Sequence, residues 1–121
     1  MGLSWSWVGD LIARRATSTP QRRAVYDRVI DKWYTYGQLN ERANMLANYM
    51  KDGLGLTAGD RVAVLARNRV ECFDIFFATQ KLNVIDFPLN VRLTPAEMDE
   101  MLFLVEPRVV FFEGELEEKA A

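Results

Sequence analysis

The sequence predicts an α/β layered fold of doubly wound type, and two observations carry that expectation. An unbroken apolar run, Val62-Ala63-Val64-Leu65-Ala66, reads as a strand buried on both faces, as strands of a parallel sheet are. From Arg61 onward the patterns alternate strand, helix, strand, helix, strand, which favours parallel strands joined by right-handed crossovers. The 121 residues suffice for one small domain. We read a single partial domain: an N-terminal helix over 1–20, a hairpin plus helix over 21–58, a βαβαβ unit over 59–113 and an acidic tail over 114–121.

Each element has its own signal. Val8, Leu11, Ile12 and Ala16 recur at helical spacing, with Trp5 and Trp7 at the start and Thr17-Ser18-Thr19-Pro20 as the stop. Ala24-Val25-Tyr26 and Trp33-Tyr34-Thr35 read as a hairpin turning around Arg28 to Asp31. Thr35 and Gln38 form a capping-box pattern that opens a helix with Leu39, Ala43, Leu46 and Met50 on one face. Gly53 is placed to end it in the left-handed conformation. Val70, Phe73, Phe76 and Phe77 mark a second helix, and their spacing assigns the phenylalanine stripe to the core. Val84-Ile85-Asp86-Phe87 is a strand stopped by Pro88. Thr94-Pro95-Ala96-Glu97 combines an N-cap threonine, a first-turn proline and a glutamate at the third position. Met98, Leu102 and Val105 line that helix, Pro107 closes it, and Val109-Val110-Phe111-Phe112 is the last strand. The tail from Glu113 carries four glutamates and reads as frayed or partly helical.

Composition excludes several chemistries. Half the residues are hydrophobic, so a packed core is expected and disorder is not. The net charge is −2 with both signs present, which argues against a nucleic-acid surface. There is no histidine, so Ser-His-Asp, Cys-His and His-metal chemistry cannot be built. The single cysteine, Cys72, fits a reducing cytoplasmic home and reads as a small boundary residue. No run reaches the ~20 apolar residues of a membrane span. Gly2 and Ser6 match an N-myristoylation pattern, but one acyl chain anchors poorly without a second signal.

Four segments, in order and in register, resemble one family. Thr35-Tyr36-Gly37-Gln38-Leu39-Asn40-Glu41-Arg42-Ala43-Asn44 looks like the "TYxELNxxANRLA" helix of adenylate-forming enzymes, which include acyl-CoA synthetases, peptide-synthetase adenylation domains and luciferases. Gly59-Asp60-Arg61-Val62-Ala63-Val64 resembles their "GDRVAI" strand. The stretch from Asn68 to Lys81 resembles their "N-x-x-E-F…A-x-x-K" helix, and Pro88 to Glu97 resembles "PLNPRLTPEE". The resemblance covers roughly residues 8–113, and the last stretch tilts it toward AMP-forming acyl-CoA synthetases. Two positions depart from the pattern. Asn83 stands where the family has glycine, and asparagine tolerates the left-handed conformation. Asp86 stands where an apolar or small residue is usual, and is expected at the strand end, reaching solvent.

The resemblance implies a two-step ligase. A carboxylate attacks the α-phosphate of Mg-ATP to give an acyl adenylate, and the coenzyme A thiol then takes the acyl group. It also implies a Ser/Thr/Gly-rich phosphate loop and a lysine from a C-terminal subdomain. Neither is present: the seven glycines are scattered, with no Gly-x-Gly-x-x-Gly and no Gly-Lys-Ser/Thr. The chain therefore reads as an N-terminal segment that is not catalytic alone, with no catalytic and no metal-binding residue of its own. ATP, Mg and coenzyme A belong to the full-length family. Arg92, at the carboxyl end of a predicted strand, matches the arginine of the "NPRL" stretch, which implies a contact with coenzyme A phosphates. An exposed arginine pairing with Glu97 or Asp99 is the plainer reading. Asn90 reads as a turn residue. Arg67-Asn68-Arg69 could hold an anion, or pair with Glu71 and Asp74.

Two other functions are open at this level. The chain could be a stand-alone flavodoxin-like anion- or nucleotide-binding module, or a structural subunit docking on a partner chain that carries the rest of the enzyme. Its expected partners are the remainder of the synthetase, such a subunit, or a second copy meeting it through an exposed sheet edge.

Overall fold

The computed structural model describes residues 10–114. Gly2, Trp5, Ser6, Trp7, Val8 and the tail beyond Gly114 lie outside the described residues. Helix α1 (Leu11–Ser18) is capped by Asp10, whose carboxylate accepts the Ala13 amide at 3.1 Å, and it buries Ile12. Strands β1 (Arg23–Asp27) and β2 (Lys32–Thr35) form the antiparallel hairpin, with Asp31 at φ 52° in the turn. Tyr26 faces Trp33 and Val25 faces Tyr34. The two pairs point to opposite faces, as strand alternation requires, so Tyr34 is buried while Tyr26 and Trp33 stay exposed.

Helix α2 (Tyr36–Asn48) starts on the capping box, with the Thr35 hydroxyl accepting the Gln38 amide and Gln38 accepting the Thr35 amide. Its end departs from expectation. The chain winds into a π-helical turn, Tyr49–Gly53, and Gly53 is not the left-handed residue; Gly55 is, at φ 67°. A larger residue at 53 would have to push the exposed Tyr49 ring aside. A Cβ there would lie 2.8 Å from the Tyr49 ring.

Strand β3 (Arg61–Leu65) is the centre of a three-stranded parallel sheet, between β4 (Ile85–Pro88) and β5 (Val109–Phe112). Helix α3 (Val70–Leu82) connects β3 to β4, and α4 (Pro95–Val105) connects β4 to β5. The alternation along β3 shows the layering. Val62 and Val64 pack with Ala47 of α2, Met50 of the π-helical turn, and Ile75 and Ala78 of α3. Ala63 and Leu65 pack with Leu89 and with Met98 of α4. The sheet is therefore covered on both faces, which is the doubly wound arrangement. A third cluster, Ile12, Tyr34, Leu39, Ala43 and Val70, ties α1 and the hairpin to α2 and α3. No described helix is long and apolar enough to cross a membrane.

Several local expectations are corrected. Helix α3 buries Val70, Asp74, Ile75, Ala78 and Thr79, whereas Phe73 and Phe76 are 43% and 44% exposed and only Phe77 packs against a core cluster. Pro88 is the last residue of β4, opposite Val64, rather than a stop before it. Proline is tolerated there because β4 is an edge strand, and the Leu89 amide takes up bonding to Val64 at 2.7 Å. Asp86 is not at the strand end. It lies opposite Val62, on the face that α3 covers, and its Oδ1 is shielded without a hydrogen-bond partner. Burial raises its pKa above the usual carboxylate value. Asn83 takes the left-handed conformation at φ 57°, as expected, and so does Glu106 at the end of α4. Thr94 caps α4 through the Glu97 amide at 3.2 Å, and the Arg61 guanidinium donates to the Val105 carbonyl at its other end.

Candidate functional site

Strands β3 and β4 are parallel neighbours, so the loops carrying Arg67, Arg69 and Arg92 open at the same end of the sheet. Arg92 is exposed. Its backbone amide donates to Asn90 Oδ1 at 2.9 Å, so Asn90 does act as a turn residue. Glu97 accepts the Thr94 hydroxyl at 2.9 Å. Among the described residues Arg92 forms no ion pair with Glu97 or Asp99, so the plainer pairing is not realised.

The other two arginines are held by the protein's own carboxylates, and not by Glu71 or Asp74. Arg69 Nε bonds Asp27 Oδ2 at 3.1 Å, and Asp27 is 5% exposed. Asp27 also accepts the Val29 amide at 3.0 Å and the Val70 amide. Burial pushes its pKa up, but Arg69 and the two amides outweigh this and hold it below the usual range. Asp27 thus takes the place at the N-terminus of α3 that an external anion would use. Glu113 accepts the Arg67 amide and meets its guanidinium at 3.5 Å, so this first tail residue is tied to the loop after β3 rather than frayed. Cys72 Sγ donates to the Arg67 carbonyl at 3.1 Å.

A cleft of about 890 Å³ lies beyond the carboxyl ends of β3 and β5, between α2 and α3. Leu46, Val64, Ala66, Ile75 and Phe111 give it an apolar lining, and Arg42, Asp74 and Arg69 add charge; Arg92 does not reach it. Asp74 receives three contacts from Arg42, of 3.0, 3.1 and 2.7 Å, and the Arg42 guanidinium lies 5.0 Å from the Tyr34 ring centroid. The Asp74 carboxylate raises the Arg42 pKa. The sequence reading missed this pair and the Asp27 bond. Helical spacing was the available signal for the first: Arg42 sits three residues after Leu39, and Asp74 four after Val70, each beside a buried position. Among the described residues, no three His, Cys, Asp or Glu side chains converge as a metal site.

The family model for AMP-binding enzymes matches residues 12–121. The chain belongs to this family. It is 34% identical over 105 residues to the long-chain-fatty-acid–CoA ligase FadD13 of Mycobacterium tuberculosis, covering 87% of this chain and 21% of that ligase. It is 32% identical over 91 residues to the 3-oxocholest-4-en-26-oate–CoA ligase of Rhodococcus rhodochrous, covering 75% and 16%. Among solved structures, a Mycobacterium tuberculosis fatty acyl CoA synthetase superposes with a TM-score of 0.86 at 32% identity, over 91% of this chain and 22% of that one. The O-succinylbenzoate coenzyme A synthetase MenE of Bacillus subtilis, in complex with ATP and magnesium ion, gives 0.83 at 25% identity, over 92% and 30%. The chain spans about a fifth of the length of the curated relatives it matches, and corresponds to the N-terminal region of these ligases.

AMP-binding enzymes of this kind depend on ATP, magnesium and coenzyme A. The turn after β3 does not fit a polyphosphate. The β3–α3 turn, Ala66-Arg67-Asn68-Arg69, has no glycine to let backbone amides close around a polyphosphate, and the first turn of α3 already bonds Asp27.

Proposed function

We propose that the chain is the N-terminal part of an AMP-forming acyl-CoA ligase, the enzyme that activates a carboxylate as its acyl adenylate and passes it to coenzyme A. The supporting observation is the match of sequence and fold, over nearly the whole chain, to ligases about five times longer. In this reading the segment supplies a layer of the scaffold and is not catalytic by itself, because it carries neither the Ser/Thr/Gly-rich phosphate loop nor the C-terminal lysine. Arg92 is its one proposed ligand contact, a guanidinium left exposed at the carboxyl end of β4 to meet a coenzyme A phosphate. The single cysteine and the absence of a membrane-spanning pattern fit a cytoplasmic site of action.

Pyrophosphate release from ATP, with a panel of fatty and aromatic acids, tests the first part. The repurified chain should show none, since electrostatic stabilisation of the transition state is usually the largest catalytic term and its donors are missing. Turnover that persists would sink this reading. For Arg92, titration with coenzyme A followed by NMR should move the Arg92 side-chain resonance in wild type and leave the rest of the loop still in an Arg92→Ala variant. The stand-alone binding module is disfavoured by the pairing of Arg67 and Arg69, and saturable nucleotide binding by the isolated chain would restore it.

A further inference from the structure

The net charge conceals a polarised chain. Residues 1–34 carry six cations, Arg14, Arg15, Arg22, Arg23, Arg28 and Lys32, and three carboxylates; the remaining residues carry nine and fourteen. Folding sharpens the contrast. Asp10 is bound by Lys81 of α3 at 2.7 Å and Asp27 by Arg69, just before α3, at 3.1 Å, so two of the three local carboxylates are neutralised by cations from outside this region. The third, Asp31, accepts the Tyr26 hydroxyl. All six cations are exposed, and among the described residues none forms an ion pair, whereas Arg42, Arg69, Lys81 and Arg108 each do.

The hairpin adds apolar groups to this charge. On its outward face the Tyr26 and Trp33 rings lie 5.2 Å apart, and the Arg23 guanidinium is 5.3 Å from the Trp33 centroid. At its tip, Val29 and Ile30 are 69% and 50% exposed between Arg28 and Lys32. A protruding aliphatic pair would need a ready-made pocket on a protein partner. A lipid surface needs none: aliphatic side chains enter the acyl boundary, Trp and Tyr settle at headgroup depth, and Arg and Lys meet the phosphates.

We propose that the β1–β2 hairpin docks on anionic lipid bilayers, with Val29 and Ile30 inserted, Tyr26 and Trp33 at the interface, and Arg23 and Arg28 on lipid phosphates. The inference is independent of the ligase reading.

Co-sedimentation of the 121-residue chain with phosphatidylcholine vesicles, with and without phosphatidylglycerol, tests it. Binding should need the anionic lipid and fall several-fold between about 0.1 M and about 0.5 M salt, as the Debye length shortens. Val29→Asp/Ile30→Asp and Arg23→Glu/Arg28→Glu should each lower partitioning by about tenfold. All four positions are exposed, so circular dichroism should show unchanged folding. Phe103→Ser/Leu104→Ser, on α4, should bind as wild type does. In a Trp5→Phe/Trp7→Phe background, Trp33 emission should shift to the blue on anionic vesicles. Equal binding to pure phosphatidylcholine, or full binding by the hairpin variants, would overturn the proposal. So would a Trp33 response to polyglutamate but not to vesicles, which would assign the surface to an acidic protein.

Discussion

Two aspartates respond to their surroundings in opposite directions. Asp27 has its pKa lowered, so its contribution to stability is present above the ordinary carboxylate value and is lost as pH falls through the folded one. Asp86 has its pKa raised by burial, so the folded state binds its proton more tightly, and stability falls as pH rises from the ordinary carboxylate value through the raised one. Asp27→Asn should destabilise at neutral pH and remove part of the acid-side loss. Asp86→Asn should stabilise at neutral pH by about 1 kcal/mol, the low end for an unsatisfied buried group because the side chain is only partly buried. Urea titrations at a series of pH values read both, and stabilisation by both variants would contradict the assignment. The Arg42–Asp74 pair is a third case. Asp74→Ala leaves a guanidinium facing a protein interior and should cost about 2 kcal/mol, less than a fully buried pair because Arg42 keeps a third of its side-chain surface in water. Arg42→Met/Asp74→Leu should recover most of that loss in the same denaturation assay.

At the scale of elements, the main lesson lies in α3. Sequence spacing assigned Phe73, Phe76 and Phe77 to the core, yet α3 buries Val70, Asp74, Ile75, Ala78 and Thr79, with Ile75 and Ala78 in one cluster with Ala47 of α2. Small side chains at Ala47 and Ala78 let α2 and α3 approach closely there. Phe73 instead stacks with Phe77 along the helix surface at 6.3 Å between centroids, and Phe76 meets Phe77 edge to face at 5.3 Å. Ala78→Leu should therefore destabilise by about 1–3 kcal/mol through overpacking. Phe76→Leu should change stability by less than about 0.5 kcal/mol, as exposed substitutions do. Thermal melts of the two variants decide; a larger loss for Phe76→Leu would mean that the phenylalanine face carries the packing. The terminal signals behaved differently from the stripe, because a cap is a contact between near neighbours. The Thr35–Gln38 box and the Thr94 cap formed as read.

The whole molecule leaves apolar surface uncovered. Phe103 and Leu104 on α4 are 79% and 71% exposed, and both outer strands, β4 and β5, have one unpaired edge within the described residues. Such edges invite pairing with another chain, and clustered exposed apolar side chains mark surfaces meant to be covered. In the proposed ligase, the rest of the enzyme is expected to cover them. The isolated chain should self-associate at moderate concentration, and Phe103→Glu/Leu104→Lys should weaken the association. Sedimentation across a concentration series checks both, and a strictly monomeric species at high concentration would show that this segment closes its own core.

The sequence by itself determined the order of elements, the parallel three-stranded sheet, the Thr35 and Thr94 caps and the family. Each rests on local contacts or on a period within one element: alternation along a strand, a hydroxyl bonding an amide three residues on, motifs in fixed register. Tertiary structure alone decided what happens where elements meet. It gave Asp27 to Arg69, Asp74 to Arg42 and Glu113 to Arg67, so that a candidate anion site became a set of internal ion pairs. It turned Asp86 toward α3 instead of solvent and buried the face of that helix that carries Val70, Ile75 and Ala78. It also drew two carboxylates inward and left six cations on the surface. The physical reason is the same throughout. Periodicity shows which face of an element is apolar, but the partner of a charge, and the space left for a ring, depend on residues far away in the chain that only folding brings near.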